Sequence, residues 1–187
     1  MNTVRHALGR TCVTAAVTMV AVVFTVSLVG AQQKSATLTA DRSFANKAAI
    51  GGEAEVELGK LAQERASNDA VRQFGQRMAA DHGKANDELM QLAKNKNLAL
   101  PTELDAKHKQ LRDKLAKESG NAFDRAYMSE MVKDHKTDVA EFKKQAEHGK
   151  DPELKTWASL QLPTLQEHLR MAQDVEKQVK AAKTGSR

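Results

Sequence analysis

Residues 71–92, VRQFGQRMAADHGKANDELMQL, decide the fold. Val71, Phe74, Met78, His82, Ala85, Leu89 and Leu92 recur at steps of three and four. Those steps keep side chains on one stripe of an α-helix. His82 shares the stripe with Met78 and Leu89, so it is expected to face a core rather than water. The pattern returns at 123–142, FDRAYMSEMVKDHKTDVAEF, with Phe123, Tyr127, Met131, His135, Val139 and Phe142 in line. Laying Asp81-His82 over Asp134-His135 puts Phe74 on Tyr127, Met78 on Met131 and Leu89 on Phe142. Two helices are cut to one template, each with Met-x-x-Asp-His.

Working outward, the first helix is expected from Ser43, as N-cap, to Ala66. The second runs from Asp69 to Lys96, and Pro101 stops any continuation. A short helix follows, capped by Thr102, with Leu104, Leu111 and Leu115 as a thin apolar edge and Gly120 at its end. The third long helix runs from Ala122 to Glu147. After the turn HGKDP the fourth runs from Pro152 to Ala182, bent at Pro163. Its stripe holds Leu154, Trp157, Leu165, His168, Ala172, Val175 and Val179. No segment alternates with the period of a strand, so the class is all-α. Four long helices with one long connection make a ferritin-like four-helix bundle, the connection carrying a short extra helix between helices 2 and 3. An up-down-up-down bundle with an accessory helix is the alternative.

The ends of the chain read differently. MNTVRHALGR brings Arg5 and Arg10, and the uncharged apolar run from Thr11 closes on Val29-Gly30-Ala31. A charged start, an apolar run and a small-residue exit describe a secretory signal peptide. The run is also about long enough to span a bilayer, so a retained signal would anchor the protein. The expected layout is a signal peptide at 1–31, a disordered linker at 32–42, the bundle at 43–182 and a polar tail at 183–187. The expected location is the periplasm, the outer membrane or outside the cell. The single cysteine, Cys12, lies in the signal. The mature chain therefore has neither a disulfide framework nor thiolate chemistry.

The chain has 29 basic and 24 acidic side chains and a formal charge of +5. Removing the signal takes away two arginines and no acid. The remaining charges are interspersed, as on solvated helix faces. No basic cluster interleaves with aromatics, so nucleic acid is not an expected partner. An unidentified protein or envelope partner is, with a membrane involved only through a retained signal.

The candidate chemistry lies at mid-length. At about 1.5 Å per residue, Glu55 and His82 lie about 18 and 21 Å from the first turn, and His135 and His168 about 22 and 27 Å from the second. One residue from each long helix thus falls near one level of the core. Gly51, Gly52, Glu55, Gly59 and Ala62 share a face, and small residues there let a neighbour come close. A buried Glu in that stripe needs a partner.

GGEAEVELGKLA, FGQRMAADH, FDRAYMSEMVKDH, DPELKTWA and LPTLQEHLRMA resemble, in order, the bacterial family called domain of unknown function 4142. The resemblance covers about Phe44 to Val175. It implies an exported, ferritin-like bundle and no established activity. The chain departs from the di-iron pattern of such bundles, because it contains no Glu-x-x-His.

Three readings of the cluster are open. His82, His135 and His168 with Glu55 or Glu57 would bind a divalent zinc, copper or iron ion, with Asp81 and Asp134 beside them. Met78, Met131 and Met171, each near a His, would join them to hold Cu(I). The plainer expectation is a buried hydrogen-bond network with Met as filler. His108 and His148 are expected in solvent. No catalytic residue is assigned. The expected function is a non-enzymatic envelope protein linked to stress or partner binding, with metal binding as the alternative. An exposed apolar patch would mark the first reading, and the 102–119 helix is the place for it.

Overall fold

The computed structural model describes residues 21–181, with side chains from residue 39 onward. Residues 1–20 of the expected signal and the 183–187 tail lie outside the described residues. The chain divides into two compact units, residues 1–36 and 37–187. Among the described residues the secondary structure is all helical, with no strand. The helices are α1 (Ala21–Arg65), α2 (Asp69–Asn95), α3 (Ala106–Leu115), α4 (Gly120–His148) and α5 (Pro152–Ala181).

Local chemistry sets these limits. Asn68 starts α2 by accepting from the Ala70 amide at 2.8 Å, which satisfies one of the free donors of a first turn. Asp151 does the same for α5, accepting from Glu153 and Leu154 N–H at 3.1 and 3.0 Å. The α5 helix runs uninterrupted through Pro163.

Four expectations about the ends differ from the structure. Ser43 lies inside α1 rather than at its start, and the expected linker at 32–42 falls within the same helix. The stretch contains no proline. Its Asp41 is only 4% exposed, and it accepts from Gln145 Nε2 at 3.0 Å and from the Lys150 and Asp151 amides at 3.1 and 2.7 Å. That tie fastens the early part of α1 to the α4–α5 turn. The cap of α3 is Asp105, bonded to the His108 amide at 2.9 Å, not Thr102. Gly120 opens α4 at φ +58° instead of ending α3, a left-handed conformation that suits a residue without a Cβ.

At the other turn Asp124 is the counterpart of Asp41. Its carboxylate accepts from the Ser67 and Asn68 amides at 3.1 and 3.0 Å and from Ser67 Oγ at 2.5 Å. Each hairpin, α1–α2 and α4–α5, thus supplies the acceptor that closes the other's turn.

The small-residue stripe of α1 works by close approach. A Cβ on Gly59 would lie 2.5 Å from the Gly75 carbonyl, so α1 and α2 touch backbone to backbone. The α2 and α4 helices both pack on α5, and α3 lies against α4. The core falls into two apolar clusters. One is built around Leu58, Phe74, Met78, Tyr127 and Met131. The other is built around Phe44, Leu89, Phe142, Trp157 and Leu165. On each long helix a buried polar residue separates them: Glu55 on α1, His82 on α2, His135 on α4 and His168 on α5.

The connection offers no spare apolar face. Leu104 and Leu115 are buried and Leu111 packs on the first cluster. Packing has used the edge that a docking reading needs.

Candidate metal centre

His82, His135 and His168 are 7%, 0% and 1% exposed. Their ring centres form a nearly equilateral triangle with sides of 5.7, 5.4 and 5.4 Å. One ring nitrogen from each lies within 4.8 Å of the corresponding atoms of the others. Those nitrogens are closer to one another than the ring centres are, so the rings turn them inward.

Hydrogen bonds fix which nitrogen is available on two of the rings. His135 Nδ1 lies 2.9 Å from the Met131 carbonyl. A carbonyl only accepts, so Nδ1 carries the proton and Nε2 keeps its lone pair. His168 Nε2 lies 2.8 Å from Asp81 Oδ2. Asp81 also pairs with Arg77. Burial pushes the Asp81 carboxyl up, but Arg77 and His168 hold it below the usual range. It is therefore ionised and accepts, leaving His168 Nδ1 free. His82 Nε2, His135 Nε2 and His168 Nδ1 are all buried with no protein partner. The expected hydrogen-bond network is therefore incomplete. It anchors the backs of two rings and leaves three ring nitrogens without a partner, those of His135 and His168 fixed as lone pairs.

Electrostatics keep these rings neutral. Burial pushes the His82 imidazole well below its ordinary value, and its two histidine neighbours push the same way. Burial, with His168 beside it, lowers His135 to about 4. His168 is lowered by burial against the opposing pull of Asp81. All three are neutral at pH 7, the form that binds a metal.

The remaining candidates fall elsewhere. Glu55 is wholly buried, with Oε1 3.6 Å from His135 Nδ1, the nitrogen already committed to Met131. It stands behind His135 and is not among the converging atoms. Burial, then the Asp134 and Asp138 carboxylates, raise its pKa well above the ordinary value. Glu57 is outside the site, bonded to Arg112 Nη1 on α3 at 3.0 Å. Asp134 is half-buried beside the site and not part of the converging set. Met78 and Met131 belong to the first apolar cluster, with Met171 packed on it. Asp81 supports His168. His148 is exposed, whereas His108 is half-buried and pairs with Asp105 at 2.7 Å.

Sequence reading missed Arg77, which anchors Asp81. Its spacing of four residues from Asp81 on one helix was the available signal. Tyr127, read from the sequence as a core anchor whose hydroxyl reaches the cluster, lies close enough to Glu55 to feel its charge. That hydroxyl is buried without a partner, and burial and Glu55 raise its pKa.

A pocket of about 50 Å³ adjoins the centre. His82 and His168 line it with Asp81, Asp138, Gly51 and Trp157, and Lys47 and Glu141 are also on its wall.

Comparisons with known proteins place the chain. The family model described as "Domain of unknown function (DUF4142)" matches residues 27–175. The chain belongs to the DUF4142 family. None of the curated proteins matches it. Two solved structures of the DUF305 family resemble this DUF4142 chain. One, from Streptomyces coelicolor, is named as a candidate secreted protein. It has a TM-score of 0.65 at 16% identity, over 75% of this chain and 92% of that one. The other, a fragment from Deinococcus radiodurans, has a TM-score of 0.65 at 13% identity, over 74% and 96%. At such identities the likeness is one of fold. Among the described residues of this DUF4142 protein, no helix is long and apolar enough to cross a membrane.

Proposed function

We propose that this protein is an exported helical bundle, ferritin-like in arrangement, that binds one zinc or copper ion through His82, His135 and His168. One observation carries the reading. Two of the rings are locked at the back, by the Met131 carbonyl and by Asp81, in the tautomers that leave their other nitrogens free. Metal-binding histidines are held in this way. The spacing fits. Imidazoles bound at 2.0–2.1 Å to one ion put their ring centres roughly 5.2–5.5 Å apart for tetrahedral to trigonal angles. The observed 5.4–5.7 Å needs little adjustment. An all-imidazole donor set suits zinc and copper, whereas a di-iron centre calls for several carboxylates.

Three ligands leave a position for water or another small ligand. The role that fits is capture or carriage of the ion in the cell envelope. The test is elemental analysis of untagged protein purified from the periplasm, followed by zinc and copper titration of the stripped protein. Near-stoichiometric metal, lost in the His135→Ala variant, supports the site. A protein that stays metal-free and is not stabilised by either ion overturns it.

A further inference from the structure

The three histidines are buried, so an ion needs a way in. We infer that the pocket bounded by Gly51, Asp81, His82, Asp138, Glu141 and His168 is the cation's passage from solvent to the centre. This rests on the metal reading above and adds the route to it.

The wall residues run from solvent-exposed to buried. Glu141 and Lys47 are the solvent-facing pair, 2.7 Å apart with side chains 36% and 60% exposed. They mark the outer end. Asp138 on α4 is half-buried. Asp81 on α2 has a side chain 27% exposed and is bonded to His168. His82 lies at the buried end, with an unpartnered nitrogen. The Glu141 and Asp81 carboxylates, set on a low-dielectric wall, concentrate cations and raise their rate of entry, while Asp138, raised to about 8 by burial and its acidic neighbours, is mostly protonated at pH 7. The Lys47 ammonium at the mouth opposes that attraction, and its pairing with Glu141 moderates it.

Gly51 gives the passage a test. It lines the pocket, and a Cβ built on it meets nothing within 4 Å. A larger side chain there would fill the lumen without displacing the fold. Replacing a helical glycine with a good helix former also favours the helix. Gly52 differs, because its Cβ would collide with the Asn86 side chain.

The experiment follows Co(II) uptake by stripped protein in stopped flow, and Co(II) release to excess chelator. Equilibrium affinity is measured separately by competition. The proposal expects Gly51→Leu to slow uptake and release together, by ten-fold or more, with affinity within about two-fold of wild type. A block changes rates in both directions and leaves the equilibrium alone. A second pair of variants does not depend on the plug. Glu141→Gln should slow uptake several-fold at low salt and Lys47→Gln should speed it, and the differences should shrink as salt screens the charges. Gly51→Leu protein that loads as fast as wild type, with the mouth variants unchanged, overturns the passage while the centre stands. A change in affinity without a change in uptake rate also overturns it. Wild-type protein that takes up no Co(II) and binds neither zinc nor copper in titration removes the metal reading itself, and the passage with it.

Discussion

Glu55 and His135, both fully buried, stand 3.6 Å apart on facing helices, with the His135 Nδ1 proton already given to the Met131 carbonyl. Glu55 thus gains no hydrogen bond from its neighbour, and both its oxygens are without a partner. Burial holds it protonated well above the ordinary range. As pH rises, the unfolded chain releases this proton before the folded one does, so stability falls. Asp138, raised to about 8 by burial and by Asp134 and Glu141, acts in the same direction. The Glu55→Gln variant should therefore melt higher than wild type at pH 8–9, and the gain should shrink towards pH 4. Thermal melts across that range check it. A lower melting temperature at every pH would show that the carboxyl is needed for packing.

The histidines give the opposite limb. His135 falls from 6.5 to about 4 because burial disfavours its charged form. Between those values the unfolded chain binds a proton that the folded chain does not. Stability is present above 6.5 and is lost as pH falls to about 4, with His135 alone contributing on the order of 3 kcal/mol. His135→Gln should flatten this acid limb in urea unfolding of metal-free protein. An unchanged limb would place the acid sensitivity elsewhere.

Asp81 touches His168 rather than the converging atoms. Asp81→Asn keeps the shape but can turn its amide donor towards His168, loosening the tautomer. Zinc affinity should fall about 10–100-fold, the usual effect of losing such a support, with little change in the metal-free melt. Glu57→Gln is the control, since Glu57 binds Arg112 on α3. It should leave zinc affinity unchanged.

Asp124 closes the α1–α2 turn with three hydrogen bonds. Asp124→Ala would leave those donors unpaired in a part-buried turn, at about 3 kcal/mol or more. Urea denaturation with an unchanged slope measures this. A loss under about 1 kcal/mol would mean that water takes over the role.

Much of this was legible because helices repeat. The three- and four-residue steps of α2 and α4 put His82 and His135 inward, and counting residues from the turns put His168 and Glu55 at their level. Glu57, put among the candidates, is argued against by the same period. Two residues turn a helix by about 200°, which carries it to the opposite face from Glu55. What periodicity does not carry is rotation between helices. Only packing decides that Asp81 reaches across to His168, or that Glu55 stands behind His135 instead of beside it. The start of α1 was hidden for a similar reason. Asp41 reads as one acid in a polar stretch, and its partners lie in a turn far along the chain. The connecting helix misled in another way, because Thr102 and Asp105 are both good caps and only the backbone chooses between them.

The reciprocity of Asp41 and Asp124 has a consequence for how the molecule can come apart. Each hairpin bends around an acceptor that the other hairpin owns. A half-chain would leave its own turn amides facing water and its latch unused. Neither half is self-sufficient, and the two are interlocked rather than merely stacked. Opening at one end frees a carboxylate from the first hairpin, and opening at the other frees one from the second, so the halves stay committed to each other wherever separation starts.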